Sequence, residues 1–343
     1  MKKVALGMSG GVDSSLCAHL LKEQGYEVTG VYLECWRAPG CRTDQDRADA
    51  LKVALSLNIP FQVLDFKDAY RDRVVEYFYQ EYEAGRTPNP DVMCNKEIKF
   101  GLFYDWAMEN DFDFVATGHY AKTEDGQLLT PHDLWKDQTY FLYLLTQEQL
   151  EHTLFPLAEM MKKDVRNEAQ KRKIHVADKK DSVGICFIGD INVKKFIKER
   201  LGEKPGEVID AQGNVVGSHN GIWFYTIGQR HGFTINPNTT SMPPYYVIAK
   251  DADKNQLVVG FGPEAYRDEF KILDIHLIDQ SQKLPEDLFI RIRHTGKIIP
   301  AKLEKNKIKL AEPIKGIAAG QSAVFYKKVD KEKFLCLGGG VIQ

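Results

Sequence analysis

The sequence predicts an α/β chain in three parts: a parallel-sheet domain with a basic helical extension, followed by two small all-β domains. Three observations predict it. The first third alternates short β-rich runs with amphipathic stretches, the pattern of a parallel sheet with helices on both faces. From about residue 147 to 201 the pattern is mostly helical and basic. Beyond Gly202, short apolar runs are separated by Gly-, Pro- and Asn-rich turns, the spacing of small barrels or sandwiches. The expected divisions are residues 1–201, 202–267 and 268–343.

Taken in order, Lys3–Leu6 is a short strand, and glycines lead from it into a helix with Leu16, Leu20 and Leu21 on one face. Val28–Leu33 is a second apolar strand and Asp44–Leu57 a helix. Phe61–Phe66 is a third strand, Ala69–Glu83 a helix striped by Val74, Val75 and Phe78, and Phe112–Thr117 a fourth strand. In the last third, Glu207–Ile209, Tyr245–Ala249, Gln256–Val259 and Lys307–Leu310 are short strands. Gly338-Gly339-Gly340 reads as a strand bulge, because no helix follows to make it a phosphate cradle.

Composition narrows the class. With 343 residues, 43% hydrophobic and 27% charged, the chain is globular rather than disordered, collagen-like or a disulfide miniprotein. No run approaches eighteen apolar residues, and the N-terminus lacks the pattern of a signal or transit peptide, so no membrane partner is expected. Six scattered cysteines read as reduced thiols of a cytoplasmic protein. Net charge is -2, yet Asp44–Asp91 holds ten acids against six bases, and Glu159–Arg200 twelve bases against seven acids. The second stretch suits a polyanion, but on charge alone a solvated helix face is the simpler reading. No His-x-x-x-His or Cys-x-x-Cys occurs, so no metal site is expected.

Ser9-Gly10-Gly11-Val12-Asp13-Ser14 stands between the first strand and the first helix. Glycines there let backbone N–H groups turn toward an anion, and the helix N-terminus adds partial positive charge. The serines offer hydroxyl donors, and Asp13 suits a Mg²⁺ ion or the loop itself. No Gly-Lys-Ser/Thr closes the loop, so it is not a Walker A motif. In full the motif resembles the phosphate loop (PP-loop) of the N-type ATP pyrophosphatases, which cleave ATP to AMP and pyrophosphate. That likeness implies ATP binding by Gly7, Met8, Ser9, Gly10, Gly11, Val12, Asp13 and Ser14, with Leu33 against the adenine and Gly118 near the nucleotide.

Two cysteines stand in distinctive settings. Cys94 follows Thr87-Pro88-Asn89-Pro90-Asp91, where prolines fix an extended approach and Asp91 or Asn95 is placed to cap a helix carrying Lys96. A helix N-terminus and a lysine lower a thiol pKa; a small buried apolar residue is the alternative. Cys186, within DSVGICFIG, reads locally as core or as part of a loop. Cys17 and Cys336 read as core.

The motifs GMSGGVDSS, GRTPNPDVMCNKEIKF, ATGHYA, KDQTYFLYLL, KKDSVGICFIGD, TIGQRHG and GQSAVFY…CLGGGVI run nearly end to end. In this order they resemble the bacterial tRNA-specific 2-thiouridylases, members of the same pyrophosphatase superfamily. The resemblance implies Cys94 as nucleophile, Cys186 as persulfide carrier and Asp91 as a candidate acid/base. It places Asn89, Pro90 and Asp91 at the target base, and His119, Lys136, Asp137, Gln138, Arg293, His294 and Gln321 at the tRNA. The chain departs from the family at His294, where a Tyr is expected, at Leu33, often Met, and in the segment Trp36–Thr43 with its flanking Cys35 and its Cys41.

The activity implied is ATP-dependent 2-thiolation of the wobble uridine: AMP is placed on the C2 oxygen, then persulfide sulfur replaces it, with Mg²⁺ accompanying ATP. Sulfur passes either directly or as hydrosulfide after attack by Cys94, the second route leaving a Cys94–Cys186 disulfide. Implied partners are the tRNAs for Lys, Glu and Gln and a sulfur donor, either a cysteine desulfurase or a relay protein; a monomer is adequate for one tRNA. The missing Cys-x-x-Cys argues against an iron–sulfur cluster, although Cys94, Cys186 and a carboxylate form an alternative ligand set. Two rival functions remain, a synthetase adenylating a small molecule and a tRNA-binding protein without catalysis. Neither explains the phosphate loop and both thiols together.

Overall fold

A computed structural model describes residues 1–37, 41–181, 193–236 and 244–343. The first strand, β1 (Lys3–Gly7), leads into α1 (Val12–Glu23). It is followed by β2 (Glu27–Glu34), α2 (Thr43–Leu57), β3 (Phe61–Asp65) and two long helical runs, α3 (residues 67–83) and α4 (residues 90–109). Next come β4 (Phe114–Ala116), the hairpin β5 (Lys122–Glu124) and β6 (Gln127–Leu129), α5 (Gln147–Glu151), β7 (Thr153–Leu154), α6 (Lys162–Lys171) and α7 (Val193–Leu201). Both long helical runs contain a π-helical stretch, Arg71–Val75 in α3 and Asn95–Leu102 in α4.

Strands β3-β2-β1-β4-β7 form a parallel sheet in that order. One face packs α1 and α2 through Leu16, Cys17, Leu21, Val53 and Ala54. The other packs α4 through Phe100, Phe103 and Ala107. The parallel, two-faced domain is thus the one the alternating pattern predicts. Two elements differ from expectation. Within the segment after Gln147, expected to be mostly helical, β7 adds an edge strand to the sheet. Its two residues carry no periodicity to read.

A middle sheet, β8 (Gly206–Ile209), β9 (Val215–His219), β10 (Thr234–Ile235), β11 (Tyr246–Asp251) and β12 (Gln256–Gly260), runs in the order β10-β9-β8-β12-β11. Its core residues Val208, Val247, Leu257 and Val259 pack with Phe78 and Tyr79 of α3 and Phe196 of α7. The last part comprises β13 (Tyr266–Leu277), β14 (Leu288–Arg291), β15 (Ile299–Glu304), β16 (Lys307–Lys315), β17 (Ser322–Lys328) and β18 (Phe334–Ile342). β13 pairs with both β16 and β18, closing these six strands into a barrel. The second unexpected element lies here, for the β5–β6 hairpin of the first domain pairs with β18 and extends the barrel sheet. Between Tyr326 and Phe325 the β17–β18 register skips Leu337, a bulge at Gly338, whose φ is 136°. A Cβ there would lie 2.1 Å from the His276 carbonyl oxygen.

The junction between first domain and barrel holds a buried ion pair. Arg291 on β14 donates to Asp137 at 2.7 Å, with side chains 8% and 0% exposed. The other Asp137 oxygen accepts the Thr139 N–H and hydroxyl at 2.9 and 2.7 Å. Removing one partner of such a pair leaves an uncompensated buried charge. Arg291→Met is expected to lower the unfolding free energy by about 3 kcal/mol, seen as a drop of several degrees in thermal midpoint. A midpoint equal to that of the wild type would show that the pair contributes nothing net.

Candidate active site

The phosphate loop is held open by short-range bonds. Gly10 has φ 70°, and a Cβ there would meet the Asp46 carbonyl oxygen at 2.1 Å, so only glycine fits. Ser14 Oγ accepts the Ser9 N–H at 3.1 Å and lies 3.2 Å from Ser9 Oγ, folding the loop back over the start of α1. Ser15 Oγ donates to the Gly11 carbonyl at 2.7 Å. Met8, buried, donates its N–H to Val31 of β2. Gly118 backs onto the helix start, where a Cβ would sit 2.9 Å from the Ser14 nitrogen. Leu33 lies near the end of β2, in register with Leu64 of β3 and packed against the core that holds Phe100 and Phe103.

Cations from the basic stretch turn inward onto this loop. Lys162 Nζ donates to both Asp13 oxygens, at 2.7 and 2.8 Å, and pairs with Asp181 at 2.9 Å. Lys136 and Arg166 also bind Asp181, at 3.0 and 2.6 Å. Lys179 Nζ donates to the Gly10 carbonyl, Asp46 and Asp49, each at 2.7 Å, clamping the loop to α2. Burial opposes ionisation of Asp181 and Asp49, but hydrogen bonds from these lysines outweigh it and hold both carboxyls below the usual range. Tyr120 donates its hydroxyl to Asp13 at 3.0 Å; burial and that carboxylate keep the phenol protonated. The sequence reading missed Lys162, Arg166, Lys179, Asp181 and Tyr120. The excess of bases in Glu159–Arg200 was the signal, but part of it serves the phosphate loop.

One segment joins this loop to the thiol. Tyr120 and Gln138 bond reciprocally, N–H to side-chain oxygen at 2.8 Å and N–H to carbonyl at 2.9 Å, tying ATGHYA to KDQTY. Phe141, three residues on, accepts a bond from Asn95 at 3.1 Å. Asn95 follows Cys94, which is buried within α4. The helix starts after Asn89, with Pro90 in its first turn, so Asn89 occupies the cap position expected of Asp91 or Asn95; Asp91 lies within the first turn. Lys96 pairs with Glu97 at 3.1 Å.

Other predicted residues are held across the junction. Gln321 donates to the Thr87 and Pro88 carbonyls at 3.0 and 2.8 Å, fixing the approach to Asn89 from the barrel. His294 hydrogen-bonds the Asp137 carbonyl at 2.9 Å, its ring centroid 4.5 Å from that of Phe141. Arg293 is exposed, and the Asp137 side chain is fully buried. A cavity of about 300 Å³ is lined by Tyr77, Asn89, Lys96, Tyr143 and Ser322 among others, on the barrel side of α4; neither Cys94 nor the phosphate loop lines it. Cys186 lies outside the described residues.

Three family models match in succession. They are described as a tRNA methyl transferase HUP domain over residues 2–190, a tRNA methyl transferase PRC-barrel domain over 194–261 and an aminomethyltransferase beta-barrel domain over 267–342. The tRNA-specific 2-thiouridylase MnmA of Lactococcus lactis subsp. cremoris is 45% identical over 359 residues, covering 99% of this chain and 94% of that protein. The chain belongs to the tRNA-specific 2-thiouridylase family. Another family member, from Streptococcus thermophilus, is 44% identical over 99% of this chain and 95% of its own length. Among solved structures, the U34-tRNA thiolase NcsA of Methanococcus maripaludis, with its [4Fe-4S] cluster, is 22% identical over 50% of this chain and 57% of that one, with a TM-score of 0.35.

In this 2-thiouridylase, His119 sits between the two halves of the site. Its Nδ1 is 2.8 Å from Thr117 Oγ1 and its Nε2 3.4 Å from Lys99 Nζ. Burial, then the Lys99 cation, hold its imidazole well below the usual histidine range. The unfolded chain takes up this proton near pH 6.5 while the folded chain refuses it. Stability from the neutral ring is therefore present above pH 6.5 and lost as pH falls below it. His119→Gln should flatten the decline of thermal midpoint between pH 7 and 5. An unchanged slope would mean that His119 is protonated as readily folded as unfolded.

Proposed function

We propose that this 2-thiouridylase uses ATP to thiolate C2 of the wobble uridine in tRNA, in the cytoplasm. The observation that carries the reading is the continuous link from phosphate loop to thiol, from Asp13 through Tyr120, Gln138 and Phe141 to Asn95 and Cys94. Methyl transfer, which the family description names, has no use for a loop built to hold a triphosphate.

In this reading residues 7–14 bind the triphosphate, Leu33 and Gly118 bound the nucleotide, and Lys162 and Lys179 supply counter-charge. Mg²⁺ would accompany ATP and neutralise the pyrophosphate, with Asp13 the loop carboxylate nearest to hand. The uridine C2 oxygen attacks the α-phosphorus and pyrophosphate leaves, with Asn89, Pro90 and Asp91 holding the base. The Cys186 persulfide, loaded by a desulfurase or a relay protein, delivers the terminal sulfur to C2 and AMP departs. Cys94 thiolate then breaks the sulfur–sulfur bond at Cys186 Sγ and frees the thiolated base; in the other route Cys94 attacks Cys186 Sγ first, and the hydrosulfide set free attacks C2 as AMP departs. The resulting Cys94–Cys186 disulfide is reduced by an external thiol. Lys136, Asp137, Gln138, His119, Arg293, His294 and Gln321 support the tRNA, and one chain binds one tRNA.

Mercury-gel retardation of transcribed tRNA-Glu tests this, with ATP, Mg²⁺, a cysteine desulfurase and cysteine. The wild type should retard tRNA with uridine, not cytidine, at the wobble position. Cys94→Ser and Cys186→Ser should each abolish retardation; full activity in either would remove that thiol from the mechanism. Affinity for tRNA should fall steeply between 50 and 200 mM salt, because phosphate contacts release counterions. A flat salt response would remove the basic surface from binding.

A further inference from the structure

We infer that Trp135 is a stacking platform for an unpaired tRNA base beside the active site, an inference that rests on the tRNA reading above. Trp135 is 92% exposed, while Trp223 is buried and Trp36 and Trp106 pack against hydrophobic cores. An exposed indole offers a broad apolar face with a polar edge, the kind of surface on which interfaces are built. The turn that carries it is rigidly built. Asp133, itself 4% exposed, accepts the Trp135 N–H at 3.2 Å through one oxygen and the Lys162 N–H at 2.8 Å through the other. The Asp133 carbonyl accepts the Lys136 N–H at 3.0 Å, and His132 N–H donates to Ala158. One buried carboxylate thus fixes both the ring-bearing turn and the start of α6.

The surroundings select the occupant. The next residue, Lys136, meets Lys162 and Arg166 on a single carboxylate, Asp181. A planar apolar ring next in the chain to Lys136, whose side chain is 42% exposed, suits a base whose phosphate lies against that cation. A hydrophobic protein partner would desolvate those charges instead. RNA recognition favours splayed bases stacked on aromatic rings, and such a platform is sequence-tolerant. Holding the backbone that carries the ring in place before binding reduces the ordering cost.

The test uses the full chain and a transcribed tRNA with wobble uridine, comparing wild type, Trp135→Phe and Trp135→Ala. Binding should quench the exposed, red-edge tryptophan emission of the wild type, and Trp135→Phe should lose that quench. Trp135→Ala should weaken binding at least about fivefold, which corresponds to the lower end of measured base–aromatic stacking, and Trp135→Phe should weaken it less. Equal affinities with the quench intact in Trp135→Phe would overturn the platform while leaving tRNA binding in place. Absence of tRNA binding by the wild type would overturn both the platform and the reading it rests on. Emission that shifts with protein concentration alone would assign the ring to self-association and overturn the platform as well.

Discussion

The buried carboxylate of Asp137 is where the parts of the molecule meet. One oxygen starts the turn at Thr139, the other holds Arg291 of the barrel, and the residue's carbonyl receives His294. Each bond crosses or borders the junction between the sheet domain and the barrel. A fully buried carboxylate is tolerable only with all of this donation in place. The turn that it fixes carries Gln138 toward the phosphate loop and Phe141 toward the thiol helix. The distance between the two chemical centres therefore depends on an ion pair that neither centre contains.

Charge at the phosphate loop follows a second logic. Asp13, Asp46, Asp49 and Asp181 hold Lys162, Lys179, Lys136 and Arg166 close to a region suited to a triphosphate. Without their acids these cations would repel one another in a half-buried setting; without the cations the acids would repel the substrate. The pairs keep the loop formed and its Gly10 carbonyl tied back, leaving the amide groups of residues 11–14 at the helix start for an anion.

Much of the fold and of the candidate site was legible because its signals are local. The SGGVDS loop announces a tight strand-to-helix turn, and Gly10 proves to be a position where a side chain would strike Asp46. The parallel strands read from their apolar runs, and Gly338 from the glycine triplet. What escaped was long-range or short in length. Lys162 meets Asp13 across 149 positions, and no local pattern reports such a pairing. The two-residue β7 and the three-residue arms of the β5–β6 hairpin lack any period to detect. The inward turn of Lys162 and Lys179 escapes too, because sequence gives the charge of a lysine but not the direction of its side chain.

The hairpin has a consequence for synthesis. Its partner strand is β18, with Phe334 bonding back to Thr130 across 204 positions. On a ribosome adding about 5–20 residues per second, the hairpin waits roughly 10–40 s for that strand. Throughout that interval an open β edge and the apolar residues Leu128 and Leu129 face whatever surrounds the nascent chain. The closing strand thus completes two domains at once, and a chain stopped short of it leaves the first unfinished as well as the last.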